Sequence, residues 1–442
     1  MTVILRGITW EHPRGYDCQV ACSTAFGLLH PDIVVRWEYR SLQAFADAPI
    51  EDLAARYDLL VIDHPHIPLA AAAGAFARLD GAGFDDELAV LATQSVGRSH
   101  ESYAHDGHQY GLASDAAAQV SAHRPDLLAT PPTTWDEVLD LAADGRVVWP
   151  LKPIDAYSSL ITIAGNRAST GHGEAPTSRP GHFLAEEDTL ATLADMRRLA
   201  ELVPVVNLEQ NPIEVAEMLV SEDRSAYAPL LFGYSNYSRV TFRQHRLQYR
   251  DIPTVAPDSP SAISAGGGPG FEGAAGPSDL GHRAAHRSVA GSLLGGAGIA
   301  VSAHTSHPDE ARRYAFWVAS AHAQRSVYFD GGGQPGNAAA WDDERLNRET
   351  LDFFRGTRRT LDAAYVRPRT PGYIEFQDRV SPWVTETIAG RMPEATLARR
   401  LNEAAAELLD VAATPPSQPD QPDQPDQPDQ PDQPDQPLEA SR

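Results

Sequence analysis

Cysteine is nearly missing from this chain, with only Cys18 and Cys22 among 442 residues. Four positions apart on an expected helix, the two are poorly placed for a disulfide, because the helical rise separates them along the axis. Two buried free thiols are the expectation, and cysteine usage says nothing for an oxidising compartment. No run of about 18 apolar residues occurs, which excludes a membrane-spanning helix. Basic charge is short as well: 36 Lys and Arg face 60 Asp and Glu, a formal net charge of −24. A phosphate backbone or an anionic membrane surface needs basic patches, so neither is an expected partner. The opening MTVILRGITW enters a β-branched strand with no basic n-region, apolar core or small-residue cleavage site before it. As written, that start predicts a cytoplasmic chain; a true start further upstream would make it extracellular or membrane-associated.

What is present fits two lobes rather than one core, at about 100 to 200 residues per domain. The first third alternates strand and helix: strands over Val3 to Thr9, Ile33 to Glu38 and Asp58 to Ile62, helices over Asp17 to Leu29 and Leu42 to Ala48. Short apolar runs separated by helical periods signal βαβ units and a parallel sheet. In such sheets ligands lie beyond the carboxyl ends of the strands, which here are Trp10-Glu11-His12-Pro13-Arg14 and Asp63-His64-Pro65-His66. Thr133-Thr134-Trp135-Asp136-Glu137 has the cap and first-turn acids of a helix start.

Later motifs follow a recognisable order. GHQYGLASDAAAQV begins at Gly107, PPTTWDEVLDLA at Pro131, GSLLGGAGIAVSAHTSHPDEARRYAFWVAS at Gly291, SVYFDGGGQPG at Ser326 and RPRTPGYIEFQDRV at Arg367. This series resembles the solute-binding proteins of ABC importers, particularly those that capture sugars and related polar molecules. The resemblance covers roughly residues 1 to 410, and the serial order carries it more than any single motif. It implies an α/β, two-lobed periplasmic-binding-protein-like fold of type II, each lobe a mostly parallel sheet flanked by helices, with the ligand cleft between. It also implies residues 1–112 and 287–340 in one lobe, and 113–286 and 341–412 in the other. Residues Ala256 to Ala290 read as a flexible Gly/Pro-rich loop, and 413–442, with its repeated Gln-Pro-Asp, as a disordered tail. The implied function is capture of a polar small molecule by a monomer that closes its lobes, with ABC-transporter permease subunits as partners and no cofactor.

Candidate ligand contacts come from strand ends and loops. From the first lobe they are Trp10, Glu11, His12, Arg14, Tyr16, Asp63 and His64; from the lobe crossing, Asp115 and Gly295. From the second lobe they are Asp155 and Tyr157, in a segment Lys152 to Ser158 read as a loop, together with Tyr234, Asn236 and Tyr373. Aromatic faces stack on the C–H faces of sugars, and carboxylates and amides bond hydroxyls. Arg14 would either recognise a ligand carboxylate or hold Glu11 or Asp63. The alternative to a binder is an intracellular enzyme or sensor on the same fold, using Glu11, His12, Asp63, His64 and His66 for acid–base or metal chemistry on an organic acid or sugar derivative. Two motifs are discounted. The G-x-G-x-x-G at Gly268 to Gly273 lies in a Gly/Pro-rich loop instead of after a strand, and His100 and His105 are five apart, about 140° off one helix face.

Overall fold

Residues 2–41, 49–177, 179, 181–255 and 288–409 are described in a computed structural model. The run VILRGITW forms β1 (Val3–Trp10), which pairs in parallel with β2 (Ile33–Arg40) from Val3 opposite Ile33 to Trp10 opposite Arg40. Parallel neighbours need a long crossover, and the helix Cys18–Leu29 supplies it. Its inner face buries Cys18, Cys22 and Phe26 against Leu5, Ile33, Val35 and Trp37. Both cysteines are free and buried. β3 (Leu59–Ile62), buried at every position, adds in parallel on the other side of β1. The helix expected over Leu42 to Ala48 lies outside the described residues. So do most of the loop expected over Ala256 to Ala290, the Gly268 to Gly273 motif and the Gln-Pro-Asp repeats.

A small hairpin of β4 (Ala104–His105) and β5 (His108–Gln109) precedes β6 (Gly111–Ala113) and β7 (Ala117–His123). After β8 (Tyr227–Phe232), β9 (Gln248–Arg250) and β10 (Leu294–Gly295), the chain re-enters the first sheet through β11 (Gly298–Val301). The first sheet runs β2-β1-β3-β11-β6, with β11 antiparallel to both its neighbours. In the second sheet β8, β9 and β10 all pair antiparallel with β7. The expectation of a mostly parallel sheet therefore describes β1 to β3 and not the second lobe. There β7 carries the chain away from the first sheet while β8, β9 and β10 run back toward it, and strands that leave and return through one boundary lie antiparallel.

A second correction concerns Lys152 to Ser158. Proline at the first position of a helix has its φ already set and no N–H to lose, so Pro153 starts a helix that runs to Ser169. Its apolar side packs with the helix Tyr373–Ile388 around Trp149, Leu160, Phe183 and Phe376. Thr134 caps its helix as expected, accepting from Glu137 N while the Glu137 carboxylate accepts from Thr134 N at 3.0 Å. No helix among the described residues is long and apolar enough to cross a membrane.

Three connections pass side by side between the sheets. Asp115 N donates to Ala297 O at 2.8 Å, Ala297 N returns a bond to Asp115 O at 3.2 Å, and Gly336 N donates to Ser114 O at 3.1 Å. Gly296 makes this possible: its φ is +99°, and a Cβ there would stand 2.5 Å from Asp115 O, so only glycine fits.

Candidate functional site

At the end of β1 the chain tightens into the helical turn Pro13–Asp17, and His12 caps it by accepting from Arg14 N at 3.0 Å. The turn closes directly on Trp10, whose ring lies 2.4 Å from where a Cβ on Gly15 would be. Arg14 is thereby aimed at the connections between the lobes. Its Nε and Nη2 donate to the two Asp115 oxygens at 2.7 and 2.6 Å, and Nη1 donates to Gly233 O at 2.9 Å. The guanidinium also stacks 4.4 Å from the centre of the Tyr234 ring, and His12 meets the same ring edge-on at 5.0 Å. Burial opposes the charge on Arg14, but the Asp115 carboxylate outweighs it and holds the group above its ordinary range. His12 goes the other way: burial, then Arg14 and Arg243, push it down to about 4.

A second arginine is treated differently. Arg367 is 8 % exposed, yet its Nη2 stands 3.6 Å from the Asp63 carboxylate, beyond hydrogen-bonding length. Nη1 makes one long bond to Gln377 Oε1 at 3.3 Å, and Nε has no partner. Beside it, at the end of β3, His64 is fully buried with neither ring nitrogen hydrogen-bonded. Burial first, then Arg367, Arg369 and His66, hold this imidazole well below its usual pKa, so it is neutral. The hydroxyls of Tyr157 and Tyr373 meet at 3.0 Å, and the charge of Arg367 reaches both rings.

Asp155 lies in the first turn of its helix, buried, with Oδ2 unpartnered. Burial pushes it up to about 8, against Lys152 and with help from Glu214. At neutral pH it is mostly a protonated carboxyl, able to donate as well as accept. The Tyr234 hydroxyl feels Arg14, Asp115, Asp155 and Asp63 together, and burial foremost raises it to about 12. Tyr234 thus lies within electrostatic reach of both the Arg14–Asp115 pair and Asp63.

The sequence candidates divide accordingly. His12, Arg14, Asp115 and Tyr234 come together, as do Asp63 and His64, with Asp155 within electrostatic reach. Arg14 holds Asp115 rather than Glu11 or Asp63, and each of its three nitrogens donates one bond within the protein. Trp10 packs in the first lobe's core, and Glu11 is exposed. Tyr16 meets Tyr39 edge-on at 4.7 Å and lines an outer groove with Val20 and Trp37. Tyr157 belongs to the second lobe's core, with Tyr373 beside it. Asn236 sits in the buried turn Ser235–Ser238 and donates to Gly332 O at 2.9 Å, leaving its Oδ1 unpartnered. Gly295 pairs with Ala117 in β10, where a Cβ would strike the Phe232 ring at 2.7 Å. The carboxylate–imidazole set is split, since His12 turns to Tyr234 and Phe242 while His64 turns to Tyr103. Among the described residues no three His, Cys, Asp or Glu are grouped to hold a metal. Sequence reasoning missed Arg367, although RPRTPGYIEF was in view: the signal was a cation placed just ahead of an aromatic helix start.

No curated protein matches the chain. A family model described as bacterial extracellular solute-binding protein matches residues 24–351. Among solved structures, the maltose-bound MalE3 of T. maritima aligns with TM-score 0.70 at 15% identity, over 92% of this chain and 99% of its own. An ABC transporter solute-binding protein from Agrobacterium radiobacter in complex with ribitol gives 0.70 at 18%, over 92% and 98%. One from Thermotoga lettingae bound with α-D-tagatose gives 0.71 at 15%, over 92% and 100%. At such identities these similarities establish the fold.

Proposed function

Because the chain belongs to the bacterial extracellular solute-binding protein family, we propose that it captures a polar small molecule, a carbohydrate or derivative, and presents it to the permease subunits of an ABC importer. One observation carries the proposal: His64, Asp155 and Arg367 are buried where the lobes meet, beside the half-exposed Asp63, yet their hydrogen-bonding capacity is largely unspent. Buried polar groups are normally satisfied, and a hydroxyl-rich solute would satisfy these. Tyr234 and Tyr373 supply rings beside them, as sugar recognition requires. The sugars and sugar alcohols named for the structural neighbours agree with that chemistry.

In this reading residues 1–112 and 287–340 form one lobe, and 113–286 and 341–412 the other. The three connections at 113–117, 295–298 and 335–337 are the hinge, and the solute stabilises the closed form by bonding groups from both lobes. Solute capture for import takes place outside the cytoplasm, so the working compartment is extracytoplasmic.

The test is thermal unfolding of the full chain against mono- and oligosaccharides, sugar alcohols and sugar acids. A solute at about 100 times its Kd adds about 2.7 kcal/mol, a shift of several degrees. A shift that Asp155→Ala and His64→Ala both remove is the expected outcome. Failure of every carbohydrate and derivative to shift the transition would refute the reading.

A further inference from the structure

Two buried arginines, Arg14 and Arg367, reach the junction of the lobes, and only one is closely paired. Every nitrogen of Arg14 is engaged, by Asp115 twice and by Gly233 O. Arg369 donates to the carbonyls of Glu101 and Ala104. Arg367 offers five N–H donors and makes one long hydrogen bond, to Gln377. The carboxylate nearest to it, Asp63, is 41 % exposed and sits 3.6 Å away. Next to Asp63 in the chain, the neutral imidazole of His64 has a further N–H with no acceptor. The hydroxyls of Tyr157 and Tyr373 bond each other, which leaves one further O–H to donate. This corner of the site has a surplus of buried donors and one loosely held cation.

We infer that the captured solute is acidic, a sugar acid whose carboxylate is received by Arg367 and His64 while its hydroxyls bond Asp63 and Asp155. The inference rests on the capture reading and narrows it. A carboxylate matches the planar fork of a guanidinium, and burial strengthens a charge-assisted pair. One guanidinium and one neutral imidazole suit a monoanion; a phosphate dianion calls for more positive charge than this corner holds. Asp63 does not block the carboxylate, because its solvent-facing side chain turns away easily or accepts a hydroxyl.

Calorimetric titration of the full chain with matched pairs decides the matter: D-glucose against D-glucuronate, D-galactose against D-galacturonate, sorbitol against D-gluconate, with D-glucose 6-phosphate alongside. In at least one pair the acid binds about 10- to 100-fold tighter than its neutral partner. Arg367→Gln abolishes that preference. Asp63→Asn, which keeps Arg367 and removes its competitor, preserves or strengthens acid binding and weakens the neutral sugar. A neutral sugar that binds as tightly as its acid overturns the inference and leaves the capture reading standing. Preference for the phosphate ester, or equal loss of acid and neutral binding in Asp63→Asn, overturns it too. Silence across all pairs overturns the inference, and the capture reading falls with it only when the wider thermal screen is silent too.

Discussion

Arg14–Asp115 and Arg367–Asp63 are two arginine–aspartate pairs at one junction, built to opposite specifications. The first is closed, with two bonds of 2.6 to 2.7 Å and both partners buried. The second is open, at 3.6 Å with its aspartate half in solvent. A buried charge closely paired within its own protein has little left for a ligand, and its work is to fix structure. A buried charge left under-bonded costs stability until something else bonds it. The contrast therefore separates frame from site within a space where composition alone is the same.

The largest expected effect attacks the closed pair. Arg14→Ala leaves Asp115 buried and alone, and should lower stability by about 3 to 5 kcal/mol in a denaturant titration. Arg14→Lys should recover only part of that, because an ammonium cannot make the two parallel bonds. Arg367→Gln should move the midpoint by less than about 1 kcal/mol, since little bonding is lost. Equal costs for the two arginines would dissolve the distinction.

Next comes Asp155, which sharpens it. The folded chain raises this group from 3.8 to about 8, so between those values only the folded state holds the proton. Its contribution is present below about pH 4 and is lost as pH rises through 8. Asp155→Asn should therefore stabilise by about 1 to 3 kcal/mol at pH 8 and change little at pH 4. A flat difference between those two conditions would place Asp155 in water rather than in the junction.

The acid limb has the reverse sign. His12 is lowered to about 4, and His64 also lies well below its ordinary value. Below about pH 6.5 the unfolded chain takes protons that these groups refuse when folded, so stability falls as pH drops from 6.5 toward 4. His12→Gln should flatten that limb by about 1 to 2 kcal/mol, seen as a smaller fall in Tm between pH 6.5 and 4.5. A further small effect belongs to the tyrosine pair: Tyr157→Phe removes one hydroxyl contact and should cost about 1 kcal/mol, while changing acid affinity less than Arg367→Gln does.

What could be read beforehand were the features whose causes lie close in sequence. The apolar runs of β1, β2 and β3, the Thr134 cap and the glycine turn at 295 to 298 each depend on neighbouring residues. The site depends on distant ones. Arg14 meets Asp115 across 101 positions, and nothing local distinguishes it from a ligand-seeking arginine. Arg367 reaches Asp63 from the far end of the chain. Lys152 to Ser158 misled because proline breaks helices from within and starts them at the first position, and periodicity had to choose. Strand direction in the second sheet depends on which way each segment crosses the boundary, which no single segment records.

The order β2-β1-β3-β11-β6 has a further consequence, for how the protein comes into being. The interior of the first sheet is completed by Gly298–Val301, made 236 residues after Ile62. At about 5 to 20 residues per second, a ribosome needs about 12 to 50 s to cover that distance. For all of that time the apolar edge of β3 is on offer, and any other strand, nascent or neighbouring, can take the place. All four strands of the second sheet are synthesised within this interval, so the sheet that starts first finishes last. A folding helper bound to the growing chain before residue 298 would guard one specific edge.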